Sequence, residues 1–127
     1  MASPTPGQTN LGVAPNVGGL LCYLPVCCIG FIFAGVAAIV EKQSRFLRFH
    51  AFQSLLVHGV ALGLGVAIWL VSAILAFVSA FLGFLVGVLH FVVGLAFLGL
   101  TILLMVKAYN NEEYELPVVG EMARKWA

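Results

Sequence analysis

Hydrophobic residues dominate this chain in two blocks, Val17 to Val40 and Ala51 to Val106, and neither block contains Asp, Glu, Lys or Arg. The first is long enough to cross a hydrocarbon core of ~30 Å as one helix. Pro25 lies near its middle, where the missing N–H and the ring clash predict a kink or a broken turn. The second block would run ~84 Å as one helix at 1.5 Å per residue, so it folds back once. Its reversal is expected between Ser72 and Gly87, with Ser79 and Gly83 the natural breakers. Trp69 is expected at the far headgroup layer, with Lys107 and Tyr109 marking the return. These elements define an all-α membrane protein with three transmembrane helices plus a short C-terminal interfacial helix. Residues 1–16 are expected to form a flexible arm, 17–109 the membrane domain, and 110–127 a cytoplasmic tail with an amphipathic helix. Pro117 opens that last helix; Val118, Val119, Met122 and Trp126 share one face, opposite Glu121, Arg124 and Lys125.

Composition agrees with a membrane setting. The chain is 62% hydrophobic and only 9% charged, against ~25% charged in soluble domains, and one soluble core of this size could not hide so much apolar surface. Net charge is +1, which gives no reason to expect a nucleic-acid partner. The first apolar segment is too long for a signal-peptide core and lacks a basic flank, so its retention is expected.

Charge placement then orients the chain. Lys42, Arg45 and Arg48 follow the first block, and Lys107, Arg124 and Lys125 follow the second. The reversal near Ser79 carries none. The positive-inside rule puts both basic groups in the cytoplasm. With three spans, the N-terminus lies outside and the C-terminus is cytoplasmic, in the inner membrane or a membrane derived from it. Phe46, Phe49 and Phe52 alternate with Arg45 and Arg48, a pattern suited to the headgroup layer, and Ser44 is a suitable N-cap for the following helix. Lys42, Arg45 and Arg48 are thus the candidates for lipid-headgroup or partner contact.

Polar residues inside the apolar blocks are the remaining candidates. His50, Gln53, Ser54 and His58 fall within an arc of roughly 140° on a helix. Such a face either packs against neighbouring helices with its bonds satisfied internally, or lines a polar groove beside Arg45 and Arg48. His58 and His90 are each candidates for a single axial ligand to a chlorin or haem, set against ordinary packing roles. No metal site is expected. Cys22, Cys27 and Cys28 read as small packing residues, with no carboxylate or histidine in their segment. Small residues recur at spacing four, as Gly30, Ala34 and Ala38, as Gly59 and Gly63, and as Ser79, Gly83 and Gly87, which permits close helix approach in lipid. The chain has no Asp, every Glu lies outside the apolar blocks, and no Gly-x-Ser-x-Gly, His-Glu-x-x-His or phosphate-loop motif occurs, so an enzyme is not expected.

Four segments carry a family resemblance: Leu21-Cys22-Tyr23-Leu24-Pro25; Glu41-Lys42-x-Ser44-Arg45-Phe46-x-Arg48-Phe49-His50-Ala51-x-Gln53-Ser54; Lys107-Ala108-Tyr109; and Tyr114-x-Leu116-Pro117-x-x-Gly120. Together they resemble the small bacterial membrane family that includes the magnetosome proteins MamF and MmsF and is related to the chloroplast import component Tic-twenty. The resemblance runs from about Val17 to Gly120, and Arg-Phe-His-Ala-x-Gln is its most specific piece. It implies a three-span helical module without catalytic residues. Three readings of function follow. The first is a structural, assembly or accessory subunit of a larger bacterial membrane complex, contacting other subunits or copies of itself. The second is a homo-oligomeric transport or import component. The third is a pigment- or haem-binding accessory subunit of an electron-transfer or photosynthetic complex. No cofactor is predicted.

Overall fold

The computed structural model describes residues 9–26 and 28–127. Most of the expected mobile arm, and Cys27, lie outside them. The described chain is all-α, with five helices: α1 (Pro15–Cys22), α2 (Ile29–Val40), α3 (Arg45–Val78), α4 (Ala80–Tyr109) and α5 (Val119–Trp126). It divides into two compact units, one of residues 9–57 with Thr101–Ala127, the other of His58–Leu100.

The single first span expected over Val17–Val40 is replaced by α1 and α2. Pro15 opens α1, where a missing N–H costs nothing. Pro25 disfavours helix at Leu24, and the chain leaves helical geometry between Tyr23 and Cys28. Cys28 adopts left-handed backbone, φ 66°, as the N-cap of α2. The break is closed by backbone bonds: Tyr23 N–H to Leu20 O, Leu24 N–H to Leu21 O, and Ile29 N–H to Val26 O. Gly30 makes the hairpin possible, since a Cβ there would stand 2.7 Å from the Leu24 nitrogen. At 1.5 Å per residue α2 is ~18 Å long, well short of a ~30 Å core. Two helices, the 34-residue α3 and the 30-residue α4, are long and apolar enough to cross a membrane. Of the three spans expected, two helices of spanning length are shown among the described residues, and a third is not.

Within the first unit, α1 lies against both long helices. A Cβ on Gly18 would meet Leu47 Cδ1 at 2.9 Å, and one on Gly19 would meet Ala108 Cβ at 3.1 Å. Ala34 and Ala37 of α2, Leu47 and Ala51 of α3, and Leu104 and Ala108 of α4 are fully buried. Residues 9–16 are part of this unit: Asn10 bonds residues 41–43, and Asn16 Nδ2 donates to Tyr109 O at 3.1 Å. The arm therefore sits with the 41–44 connection and the end of α4.

In the second unit the reversal falls at Ser79, inside the expected window. Gly83 allows the close return, since a Cβ there would meet Ala76 Cα at 2.9 Å, and Ser72 Oγ donates to Gly83 O at 2.9 Å. Trp69 does not mark the end of its helix; α3 continues about two and a half turns beyond it. Of the small-residue series, Gly30 and Ala34 serve internal packing, whereas Gly59, Gly63 and Gly87 have open space where a Cβ would be.

Candidate functional site

The first turn of α3 is anchored on both sides of its start. Ser44 Oγ accepts from Leu47 N–H at 3.1 Å, the cap expected from the sequence. Glu41 sits before it, fully buried. Its Oε1 accepts from Gln43 N–H and Ser44 N–H at 2.8 and 2.9 Å, and its Oε2 from Asn10 N–H at 2.8 Å. Asn10 Oδ1 in turn accepts from Lys42 N–H at 2.7 Å and Gln43 N–H at 3.2 Å. Arg48 Nη1 donates to Glu41 O at 3.1 Å. Glu41 is thus an internal cap that ties the arm to α3.

One turn on, the expected polar face is buried. His50, Gln53 and Ser54 are fully buried. Gln53 Oε1 accepts from Leu116 N–H at 3.2 Å, and its Nε2 donates to Tyr114 O at 2.9 Å. Backbone groups have fixed roles, so these two bonds fix the orientation of the amide. Nε2 also donates to the Tyr23 oxygen at 3.1 Å. The Tyr23 hydroxyl hydrogen is then free for His50 Nδ1, 3.0 Å away. That leaves the imidazole proton on Nε2. Tyr23, Phe46 and Phe49 stand edge-on around the imidazole, with centroids 5.7, 4.5 and 5.2 Å from it. Ser54 Oγ donates to Cys22 O. The structure therefore joins three of the four expected polar residues in one network of the first unit. His58 belongs to the second unit.

The basic residues divide. Arg48 is held inward, by Glu41 O and by Trp126 O at 3.1 Å from Nη2, with its guanidinium 5.7 Å from the Phe52 ring centroid. Lys42 and Arg45 are exposed. Arg124 bonds Glu115 at 2.8 Å and Glu113 at 3.0 Å, and lies 4.9 Å above the Phe49 ring. Those two carboxylates raise its pKa above the ordinary arginine value. Lys107 pairs with Glu112 at 2.6 Å. Arg45, Phe49, Glu113, Arg124 and Ala127 line a cavity of about 200 Å³. α5 packs through Gly120 and Ala123, which are buried, while Val118, Met122 and Trp126 of its expected apolar face stay exposed.

His90 lines an open apolar groove of about 310 Å³ with Ala61, Leu62, Gly65, Val66 and Trp69. No group of three metal-binding side chains occurs among the described residues.

Three contributors escaped the sequence reading: Tyr23, Glu41 and Asn10. Tyr23 had a signal, a hydroxyl inside an apolar segment and directly before Leu24-Pro25. Glu41 opens the second resemblance segment, but its role and that of Asn10 had no signal, because their partners are backbone amides.

Three of the four segments that carry the family resemblance meet around Gln53 and Ser54. Cys22 O and Tyr23 come from the first, His50, Gln53 and Ser54 from the second, and Tyr114 and Leu116 from the last. Gly120 completes it: a Cβ there would stand 2.9 Å from Gln53 Oε1. The model of the magnetosome magnetite crystal formation protein family, MamF/MmsF, matches residues 8–123. A UPF0132 membrane protein of Methanocaldococcus jannaschii is 38% identical over 121 residues, covering 95% of this chain and 96% of its own. A second from that organism is 35% identical, covering 91% of this chain and 72% of its own. One from Archaeoglobus fulgidus is 33% identical, covering 87% and 92%. No solved structure matches.

Proposed function

Because the chain belongs to the MamF/MmsF family and is a membrane protein in contact with a lipid bilayer, we propose that it acts as a non-enzymatic structural or assembly subunit of a larger membrane complex. One observation carries this reading: Tyr23, His50, Gln53 and Ser54, which belong to the segments of the family resemblance, are consumed in bonds within their own unit. His50, Gln53 and Ser54 are fully buried and offer no face to a substrate. The side chains left at the surface of the same unit are those of a contact surface: Lys42, Arg45 and the charged and apolar sides of α5. On this reading α5 lies at headgroup level, with Val118, Met122 and Trp126 toward lipid or a neighbour. A link to the import component Tic-twenty rests on the sequence resemblance of the four segments, of which Arg-Phe-His-Ala-x-Gln is the most specific piece. Native mass spectrometry after gentle extraction tests the proposal. Stable oligomers or a constant partner are expected; a strictly monomeric protein with nothing co-purifying overturns it.

The His90 groove favours one second reading, a pigment- or haem-binding accessory subunit. Trp69 and apolar side chains beside one imidazole suit a flat apolar ligand. An absorption band in the purified protein, lost in His90→Ala and kept in His58→Ala, is its signature; a spectrum showing only aromatic absorption removes it.

A further inference from the structure

We infer that α1 and α2 form a re-entrant hairpin, a surface that sits in the acyl chains of one leaflet and enters and leaves on the side that holds both chain ends. Length is the first argument. At 1.5 Å per residue α1 reaches ~12 Å and α2 ~18 Å, so each is confined to about half of a ~30 Å core.

The ends of the hairpin are the second. Asn10, ahead of α1, bonds the backbone of Lys42 and Gln43 and the carboxylate of Glu41, immediately after α2. Asn16, in the first turn of α1, bonds the carbonyl of Tyr109, the last residue of α4. Entry, exit and the end of α4 are thus at one level. A chain that crossed the membrane between residues 10 and 41 could make none of the Asn10 bonds.

The third argument is the apex. Irregular backbone is tolerated at membrane depth only where protein covers it. Here Ser54 Oγ caps Cys22 O, the Tyr23 hydroxyl is held by His50 and Gln53, and Gly30 packs on Leu24. Between those anchors the outer face of α2 is bare and apolar, with Ile32 and Ile39 exposed by 63% and 73%. No charged residue lies between Val17 and Val40. Lipid is the occupant that such a face continues with, since α3 and α4 present the same kind of surface.

This also resolves the orientation. The positive-inside rule acts on Lys42, Arg45, Arg48, Lys107, Arg124 and Lys125, and α3 with α4 returns the chain to the side it left. The arm through Asn16 carries no charge, so the rule is silent about it. Its place is set by the hairpin: both termini are cytoplasmic.

The test uses the full chain in cells. A small split-fluorescent-protein fragment is fused to Met1 or to Ala127, with the complementing fragment in the cytoplasm. Equal complementation from both ends is expected. Loss of the N-terminal signal with the C-terminal one intact overturns the hairpin. Leu11→Cys gives a second measurement without a fusion. In spheroplasts a membrane-impermeant maleimide should label it no more than the parent chain until the membrane is permeabilised; labelling of intact spheroplasts overturns the inference.

Discussion

The two units of this chain draw on the same long helices, α3 and α4, and use them in opposite ways. Residues 9–57 with Thr101–Ala127 bury a carboxylate, an imidazole, an amide and four hydroxyls, and most of these are bonded to a different segment. His58–Leu100 holds two helices joined at Ser79, with large apolar side chains facing outward; Phe77 is 94% exposed. In lipid an apolar surface has nothing to gain from burial against another apolar surface, so packing and polar bonds must specify a structure. The first unit has those devices and the second has few. The first is therefore where the fold is determined, and the second is where the bilayer acts as solvent.

Breaking the hub of the first unit should have the largest effect. Gln53→Leu strands the Tyr114 carbonyl and the Leu116 N–H and takes one accepted bond from the Tyr23 oxygen, which keeps His50. Each stranded buried group costs about 1–3 kcal/mol, so a loss of about 3–5 kcal/mol is expected. Ser72→Ala is the matched change in the second unit. It removes one bond to Gly83 O and should cost about 0.5–1.5 kcal/mol. Circular-dichroism melts in one detergent compare the two. Equal shifts would show that the units are not specified differently.

The hydrophobic pattern made the helices of the second unit legible, because a long uncharged run has few ways to exist. The reversal at Ser79 was legible for the same reason: chain length demands a return, and Ser79 is a weak point within an apolar run. The polar face of α3 was legible as a face, since His50, Gln53 and Ser54 share one side at helical spacing. Its partners were not, because Tyr114 O, Leu116 N and Cys22 O are backbone atoms that no side-chain pattern announces. The first apolar block misled for a related reason. Hydropathy sums over Val17–Val40 and does not register that Pro25 and the close Gly30–Leu24 contact fold it in two. The charge rule depends on that count, since an odd number of spans sends the arm across the membrane.

A pair of glycines sharpens the comparison further. Gly30→Ala puts a methyl 2.7 Å from the Leu24 nitrogen, a backbone atom that cannot rotate away. About 2–3 kcal/mol of destabilisation is expected from such overpacking. Gly94→Ala has open space around it, and replacing a helical glycine there should stabilise by about 0.5–1 kcal/mol. Opposite signs in the same melting assay are the expected outcome, and a shared sign would place the hairpin contact in doubt.

Glu41→Gln is a smaller, local break. The amide oxygen can still take Gln43 N–H and Ser44 N–H, but the new –NH2 faces Asn10 N–H, donor against donor. A cost of about 1–2 kcal/mol should fall on the docking of residues 9–13. Hydrogen exchange reads it directly: the Asn10 and Val13 amides should exchange faster, while residues of His58–Leu100 keep their protection. Faster exchange throughout α3 would mean that the cap holds the whole helix rather than the arm.

The smallest effect belongs to Arg124, although it makes the most conspicuous ion pairs. Both carboxylate partners and the guanidinium are well exposed, so solvent and salt screen them. The sign of the linkage also removes any pH signature from the arginine. Its pKa is raised above the ordinary arginine value, first by the Glu115 bond and then by Glu113. A raised folded-state pKa stabilises at every pH below the unfolded value, and the benefit is lost only as pH rises through the folded one, far above any working range. Arg124→Gln should therefore leave the melting midpoint nearly unchanged from pH 6 to 9. What it removes is the positive charge above Phe49, so in salt titrations the weak salt dependence of the parent should flatten. A midpoint shift as large as that of Gln53→Leu would show that α5 helps determine the first unit, instead of resting on a structure already set by the bonds around Gln53.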